Sequence, residues 1–375
     1  MSTSLFFYGT LCHIPLLELV LGRTRDEIEI SQCELNDHFV SWVKDESFPM
    51  IASQSGAILR GLLVQGLNED DVARLRFYEG GFDYDLSDVR IMTPTGEIPA
   101  LVFFPEPGLW TAGEPWELSD WIEAWGDVSL SAAREVMEQF GKKSVQDMAQ
   151  LLPFLRARGW AKHLAKTGAP SSLRRDTSSS AVSLRTRDEG YAGFFRLDTF
   201  DVSYPRFDGT QSDTRERAAF VAYDAALVLP YDPARDLVML IEQMRYGPLL
   251  RGDPAPWILE PIAGLVDAGE APIEAARREA VEEAGLNLSD IRPMLQTYPS
   301  PGYSTEFFHC FLGLCDLDPS LEGVHGLASE NEDIRTHVVS FERAMELVDN
   351  GEINGGPTVM MLLWLARSRE DFRPI

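Results

Sequence analysis

The chain has 375 residues, more than one hydrophobic core usually supports, so the sequence predicts two domains. Hydrophobic residues make up 45% of the chain, a composition that indicates globular folding and excludes general disorder. The formal net charge of -26 repels polyanions and anionic lipids, so we expect neither nucleic acid nor a membrane as a partner. An anionic small substrate would need locally placed arginines or metal ions.

The cysteines and the N-terminus indicate a cytoplasmic location. The cysteines are few for this length and lack the CxxC spacing of zinc sites, which predicts reduced thiols. They are Cys12, Cys33, Cys310 and Cys315. The apolar N-terminus has no basic lead and is broken by polar residues, so we interpret it as mature structure rather than a signal segment. No other run is apolar and long enough to cross a bilayer.

The predicted elements divide the chain into four segments. Residues 1–116 hold short apolar runs around one helix, from Glu69 to about Tyr78, which predicts an α+β domain with a largely β core. Residues 117–166 have helical periodicity and predict a helical connector. Residues 167–190 are rich in Ser, Thr, Gly and charge and predict a linker.

Residues 191–375 form the second predicted domain. Two β-branched runs flank a Pro and Asp turn in AALVLPYDPARDLVMLIEQMR, which predicts a β-hairpin. A strand is expected at about 306–314, a loop at 316–333 and a last amphipathic helix at about 357–367.

Residues 271–284 have strong helix propensity, and three glutamates share one face of this predicted helix. Glu279, Glu282 and Glu283 are spaced i, i+3 and i+4. Crowded carboxylates repel each other, and hard divalent cations prefer oxygen ligands, so the pattern predicts a metal site. Gly285 can end the helix in the left-handed conformation, and Gly264 lets the backbone turn so that the Ala263 carbonyl could face the metal. The alternative is a solvated acidic face with incidental ion pairs.

The segment GLVDAGEAPIEAARREAVEEAGL, residues 264–286, resembles the Nudix box at every fixed position, with a small Ala in one aliphatic slot. The resemblance implies a C-terminal Nudix α/β/α sandwich that hydrolyses a nucleoside diphosphate linked to another group, by attack of water on phosphorus. Glu279 and Glu283, with the Ala263 carbonyl, are the expected ligands of Mg²⁺, or of Mn²⁺ in its place. Glu282 is expected to take part in catalysis.

Stretches beyond the box resemble the ADP-ribose pyrophosphatase branch of the Nudix family, among them RFDGTQS, SPGYSTE and SENEDI. Pro301 lies fifteen residues after Leu286, a spacing that tracks ADP-ribose preference in that branch. The resemblance implies a catalytic glutamate on the late loop. We assign Glu330 as the general base and Glu332 as a further metal ligand, although the two roles could be exchanged. The alternative is a solvated acidic loop.

The same resemblance implies the substrate contacts. Arg245 matches a position that holds phosphates, a task suited to a guanidinium fork, and Glu260 and Glu306 match polar positions around the site. Phe207 is the candidate for stacking on adenine, with a core position as its alternative. Exchange of this early segment between subunits implies a homodimer through the Nudix half.

The motifs FFYGTL and FYEGGFDY make residues 1–116 resemble the γ-glutamylcyclotransferase fold family, including its AIG2-like members, which implies a mixed β-barrel. In that family the YGT backbone, here followed by a leucine, cradles a γ-glutamyl carboxylate. The corresponding residues are Tyr8, Gly9, Thr10 and Leu11. Glu79 would move a proton as a γ-glutamyl amine cyclises to 5-oxoproline.

This first segment departs from the family pattern in two places. FYEG replaces the usual Asp-x-Tyr-Glu-Gly run, and Asp85 stands where a basic residue commonly follows Tyr. The second departure weakens the case for an anionic γ-glutamyl substrate. The alternative is a non-catalytic module for oligomerisation or regulation.

Together the two resemblances predict an enzyme that hydrolyses ADP-ribose to AMP and ribose 5-phosphate. Hydrolysis of another nucleotide sugar and an ADP-ribose-binding sensor are the alternatives. The order of the two modules resembles bacterial proteins associated with tellurite resistance.

Overall fold

The computed structural model describes residues 3–82, 84–169, 171–175, 179–326 and 332–372. The chain divides into two compact units, residues 1–167 and residues 168–375. Each unit has a buried hydrophobic core of its own.

The first unit is built around a closed sheet. Its strands are β1 (Thr3–Phe7), β2 (Glu29–Val43), β3 (Pro49–Leu67), β4 (Tyr84–Thr93), β5 (Gly96–Pro105) and β6 (Ala112–Pro115). The strand order is β3-β1-β5-β4-β2-β6, and β2 also pairs with β3, so five strands close into a barrel with β6 on its edge. Strand β1 pairs with β5 in parallel and with β3 antiparallel. The predicted mixed β-barrel is therefore confirmed.

Helices cover the barrel and complete the core of the first unit. They are α1 (Ile14–Leu21), α2 (Glu69–Glu79), α3 (Leu118–Trp121), a π-helix (Ile122–Gly126), α4 (Asp127–Glu138) and α5 (Val145–Leu164). Asn68 begins α2, since its side chain accepts a hydrogen bond from the Asp71 N–H at 3.0 Å. Helix α4 packs on α5, α1 and α2. The helical region expected at 117–166 is thus present, and it belongs to the first unit.

The second unit starts with a three-stranded antiparallel sheet of β7 (Ser183–Ala192), β8 (Arg196–Ser203) and β9 (Arg215–Val221). Strand β7 occupies the last part of the segment predicted to be a linker. Its register with β8, from Ser183 opposite Ser203 onward, makes it a strand despite its polar composition. The linker expectation is therefore wrong for residues 183–190.

A mixed sheet of eight strands forms the centre of the second unit. Its strands are β10 (Asp224–Asp232), β11 (Leu237–Met244), β12 (Trp257–Glu260), β13 (Ile262–Leu265), β14 (Asp290–Thr297), β15 (Phe307–Leu314), β16 (Val324–His325) and β17 (Ile334–Ser340). The main path is β14-β15-β10-β11-β17-β16, with β12 paired to β11 and β13 paired to β10. Strands β10 and β11 form the predicted hairpin, with Tyr231 opposite Val238.

Helices cover both faces of this sheet. They are α6 (Tyr246–Arg251), α7 (Pro272–Ala284), α8 (Phe341–Asn350) and α9 (Gly356–Ser368). Leu227 and Leu229 share a core with Leu347 of α8 and Leu362 of α9. Val228 between them is fully buried and points to the opposite face, where α7 packs on β10 and β13. This is the predicted α/β/α sandwich.

The last predicted helix is confirmed as α9, whereas α8 was not predicted from the sequence. No helix in the described ranges is long and apolar enough to span a bilayer.

Candidate active sites

Helix α7 presents the acidic residues of the second unit. Pro272 occupies its first turn, and Gly285 ends it in the left-handed conformation at φ 61°, with its N–H donating to the Val281 carbonyl. Within this helix Glu283 is buried, with 3% of its surface exposed. Its Oε2 accepts a hydrogen bond from the Ala263 N–H at 3.0 Å, which ties α7 to strand β13.

Arg278 organises the neighbouring carboxylates. Its guanidinium lies 2.6 Å from Glu279 Oε1, 3.0 Å from Glu282 Oε2 and 3.0 Å from Glu270 Oε2, and it also donates to the Leu265 carbonyl. These contacts raise the pKa of Arg278 far above its usual range, so it remains charged. The ion pairs of Arg278 are therefore not incidental. They connect helix α7 to the segment before it, through Glu270 and Leu265.

Burial and mutual repulsion destabilise the ionised forms of Glu279 and Glu283 on α7. Burial, together with the charges of Glu279 and Glu332, raises the pKa of Glu283 to about 8 against the opposing hydrogen bond from Ala263. Burial likewise raises the pKa of Glu279 to about 7, with contributions from Glu282 and Glu332 against the charge of Arg278. Glu332, expected on the late loop, therefore lies close enough to act on both carboxylates.

The donor set fits a divalent cation. Glu279, Glu283 and Glu332 offer the hard oxygen atoms that Mg²⁺ or Mn²⁺ prefers, and a cation would relieve their repulsion. Gly264 leaves room for the Glu279 carboxylate, because a Cβ at position 264 would lie 1.7 Å from Glu279 Oε1. Among the described residues, no three acidic, His or Cys side chains are already grouped as ligands. Glu279 is paired with Arg278, and Glu283 accepts from the Ala263 N–H.

Arg245 supplies a cation beside this acidic cluster. Its Nε lies 2.7 Å from Glu260 Oε2. Burial raises the pKa values of Glu260, Glu306 and Glu283, and the charge of Arg245 opposes this rise. The structure thus brings Arg245, Glu260 and Glu306 together with the metal-ligand candidates.

The remaining predicted site residues of the second unit are exposed or lie outside the described residues. Phe207 lies between β8 and β9 with 93% of its surface exposed, so its alternative as a core residue is wrong. Within the described part of this single chain, its ring contacts the guanidinium of Arg175 at 5.4 Å. Pro301 is exposed in the turn that the Tyr303 N–H closes on the Ser300 carbonyl. Glu330, the predicted base, lies outside the described residues.

The first unit contains a cavity lined by the second set of predicted residues. Tyr8, Gly9, Thr10 and Leu11 line it from the end of β1, and Glu79 lines it from the end of α2. A Cβ at Gly9 would lie 2.9 Å from Pro49 Cγ, so the close approach of these segments favours glycine. Two tyrosines fix the walls through hydrogen bonds of 3.0 Å: Tyr8 Oη donates to the Phe103 carbonyl and Tyr84 Oη to the Pro49 carbonyl.

Glu79 is the carboxyl group of this cavity. Burial raises its pKa to about 8, so the protonated form predominates at neutral pH. The charge of Glu79 in turn contributes to the raised pKa values of Tyr8, Tyr78 and Tyr84. A carboxyl group that exchanges a proton near neutral pH is suited to general acid-base catalysis.

Arg156, which was not predicted from the sequence, also lines the cavity. It comes from α5, which has no motif that would mark a binding residue. Asp85, which stands where a basic residue was expected, instead lies 2.5 Å from Arg76. The cation in the cavity is thus Arg156 of α5, and not a residue next to Tyr84.

Two families match this chain, one in each unit. Residues 222–359 match the family described as NUDIX domain, and residues 5–123 match the family described as gamma-glutamyl cyclotransferase, AIG2-like.

Curated relatives match the second unit. The ADP-ribose pyrophosphatase of Escherichia coli (strain K12) is 40% identical over 196 residues, which cover 52% of this chain and 93% of the relative. The ADP-ribose pyrophosphatase of Haemophilus influenzae is 40% identical over 177 residues, 47% of this chain and 81% of the relative. The GDP-mannose pyrophosphatase of Escherichia coli (strain SMS-3-5) is 31% identical over 175 residues, 47% of this chain and 90% of the relative.

The sandwich with its acidic helix, together with these matches, defines a hydrolase. The chain belongs to the Nudix hydrolase family, with a γ-glutamylcyclotransferase-like domain in its first unit.

Proposed function

We propose that the second unit hydrolyses ADP-ribose to AMP and ribose 5-phosphate in a reaction that requires Mg²⁺ or Mn²⁺. The position of Arg245 carries this proposal, because its guanidinium pairs with Glu260 at 2.7 Å and its charge also acts on Glu306 and Glu283. A pyrophosphate held by this guanidinium would lie beside the acidic helix. The 40% identity to ADP-ribose pyrophosphatases, over nearly their full length, supports the choice of substrate.

In the proposed reaction, a water oxygen forms a bond to one phosphorus and the bond to the bridging oxygen breaks, so the leaving phosphate takes the electron pair. Glu279, Glu283 and Glu332, with the Ala263 carbonyl, would hold the cation. When bound, the cation neutralises phosphate charge and acidifies the attacking water. Glu282 assists catalysis, and Glu330 takes the proton of the attacking water. Pro301 and Phe207 contact the adenosine side of the substrate.

A turnover panel tests the substrate. Full-length protein with saturating Mg²⁺ is given ADP-ribose, GDP-mannose, NADH and a dinucleoside polyphosphate, and AMP or GMP release is measured. We expect the highest kcat/KM for ADP-ribose. GDP-mannose is the second candidate, because one relative at 31% identity carries that name. Equal rates across the panel would contradict the ADP-ribose assignment, and binding of ADP-ribose without turnover would favour a sensor.

The roles of the carboxylates are tested by substitution. We expect Glu283→Gln and Glu330→Gln each to reduce turnover by roughly 10² or more, since one removes a ligand charge and the other the base. Glu342→Gln, at an exposed position in the first turn of α8, is the matched control. Near-normal rates for Glu283→Gln would remove its assignment as a ligand.

For the first unit we propose cyclisation of γ-glutamyl amines to 5-oxoproline. The α-amino nitrogen attacks the γ-carbonyl carbon, the bond to the amine nitrogen breaks, and Glu79 carries a proton from the attacking nitrogen to the leaving amine. The raised pKa of Glu79 in a cavity that also contains Tyr8 and Gly9 supports this function.

Release of 5-oxoproline from γ-glutamyl amines by the full-length protein tests the second proposal. Glu79→Gln is expected to reduce the rate by roughly 10² or more, since the amide cannot move the proton. Glu29→Gln, at an exposed position on β2, is the control. If no γ-glutamyl compound is converted, the first unit is a non-catalytic module.

A further inference from the structure

One wall of the cavity in the first unit lies outside the cyclotransferase-like segment. That segment ends at residue 123. Helix α4 contributes Val128, Ala132 and Val136 to the cavity lining, and α5 contributes Leu152 and Arg156. A ligand that fills this cavity would therefore contact side chains that the family match does not include.

The charges that face the cavity are few. Apart from tyrosines, its described lining residues include two ionisable side chains, Glu79 and Arg156. Glu79 is largely protonated at neutral pH because burial raises its pKa to about 8. The net charge that the lining presents is therefore the positive charge of Arg156, in a protein whose formal net charge is -26.

The Arg156 guanidinium is held in place by its neighbours. One of its nitrogens donates to Ser47 Oγ, and the guanidinium carbon lies 5.7 Å from the centre of the Trp125 ring. Burial raises the pKa of Tyr78 in the cavity wall, and the charge of Arg156 opposes this rise. A held guanidinium is suited to bind a carboxylate through two parallel hydrogen bonds.

We propose that Arg156 determines specificity in the first unit by binding the α-carboxylate of a γ-glutamyl substrate. The inference rests on the cyclotransferase function proposed above. Asp85 cannot supply this cation from the position where a basic residue was expected, but α5 supplies it from elsewhere in the chain. The first unit therefore selects anionic γ-glutamyl compounds over neutral analogues.

Binding by the full-length protein tests this role separately from catalysis. The probes are 5-oxoproline, which keeps the α-carboxylate, and its neutral carboxamide, and both dissociation constants are measured by calorimetry. We expect the wild type to bind the carboxylate roughly 10-fold or more tightly than the amide, as expected for a charged hydrogen bond. Arg156→Gln and Arg156→Met should bring this ratio close to one, and Arg156→Lys should give an intermediate ratio.

A merely structural role of Arg156 predicts a different result, because damage to the cavity would weaken both ligands and leave their ratio unchanged. Arg134→Gln, which removes an exposed cation from α4, should keep the wild-type ratio. A wild-type ratio near one, no binding of either probe, or an unchanged ratio in Arg156→Gln would each overturn the proposal. If both neutral variants fail to fold, the ratio of Arg156→Lys decides, and an unchanged value overturns the proposal.

The two proposals for the first unit fail in different ways. If the wild type prefers the carboxylate but converts no γ-glutamyl amine, the cyclotransferase function is wrong and the binding role of Arg156 stands. If the wild type releases 5-oxoproline while Arg156→Gln keeps the carboxylate preference, the cyclotransferase function stands and the binding role of Arg156 is wrong.

Discussion

Burial of the Glu79 carboxyl raises its pKa to about 8, far above the value of an exposed glutamate. The folded chain therefore holds this proton more tightly than the unfolded chain. The resulting contribution to stability is fully present below the unfolded pKa, near pH 4.5, and is lost as the pH rises towards 8.

We therefore expect Glu79→Gln to gain stability relative to wild type between pH 5 and pH 8. The glutamine keeps the shape of the protonated side chain and does not ionise, so the difference should grow over this range by up to a few kcal/mol and then level off. Urea unfolding at four pH values measures it. A difference that is constant, or that shrinks as the pH rises, would contradict the burial of an ionisable Glu79.

The pH dependence of catalysis should follow the same group. If Glu79 accepts the proton of the attacking nitrogen, its deprotonated form is the active one, and kcat/KM for 5-oxoproline release should rise as the pH approaches about 8. The residual activity of Glu79→Gln should lack this rise. A wild-type profile that falls over the same range would indicate that the protonated form is required.

At the residue scale, the candidate site residues that the sequence offered, by spacing in one case and by a family motif in the other, share a local element. Glu279, Glu282 and Glu283 lie on one helix, and Tyr8 to Leu11 follow one strand. Arg156 could not be predicted in this way, because α5 reaches the cavity only through tertiary packing. The exposure of Phe207 could not be predicted either, because no local pattern distinguishes an exposed aromatic residue from a buried one.

Helix α7 and strand β13 can lie this close together because Gly264 has no side chain. A Cβ at Gly264 would lie 1.7 Å from Glu279 Oε1 and 2.7 Å from Glu279 Cγ. The glutamate can move away because its side chain is flexible, but it then leaves its position in the acidic cluster.

Gly264→Ala should therefore separate activity from stability. We expect turnover of ADP-ribose to fall by roughly 10-fold or more, because a ligand of the cation is displaced. The unfolding free energy should change by about 1 kcal/mol or less. Gly247→Ala is the control, since a Cβ there meets no atom within 4 Å. Turnover rates and urea unfolding of the two variants give the comparison, and normal turnover in Gly264→Ala would argue against the assignment of Glu279.

Elements with strong local signals were predicted well. The hairpin of β10 and β11 has a turn marked by Pro and Asp, and α7 ends at a glycine with φ 61°. Helix α8 was missed although Ser340 caps it and Gly351 ends it, because its short apolar stripe follows directly on a strand. Strand β7 was missed because its stability comes from pairing with β8, which its own polar composition does not reveal.

At the scale of the whole molecule, most of the exposed aromatic side chains in the described residues lie around the three-stranded sheet. Tyr191 is 60% exposed, Phe195 49%, Phe207 93% and Phe220 48%, and all lie within or between β7, β8 and β9. Aromatic side chains left in water in such numbers are typical of an interface between subunits.

We therefore predict a homodimer with twice the chain mass of 41.9 kDa. Light scattering at micromolar concentration measures the mass. The double variant Phe195→Asp, Phe220→Asp should shift it towards the monomer, because charges replace apolar contacts. Leu363→Asp, at a 52% exposed position on α9, should not. A wild-type protein that remains monomeric would count against the dimer.

The role of α4 and α5 in the cavity has a practical consequence for dividing the chain. A fragment that ends at residue 123, where the cyclotransferase-like match ends, would stop inside the π-helix and lose both helices. Helices α1 and α2 would lose the helix that packs on them, and Glu79 would face water instead of a closed wall. The pKa of Glu79 would then return towards that of an ordinary glutamate, and its proton would be lost at neutral pH. The segment that matches a family and the segment that folds around one core end at different residues in this chain.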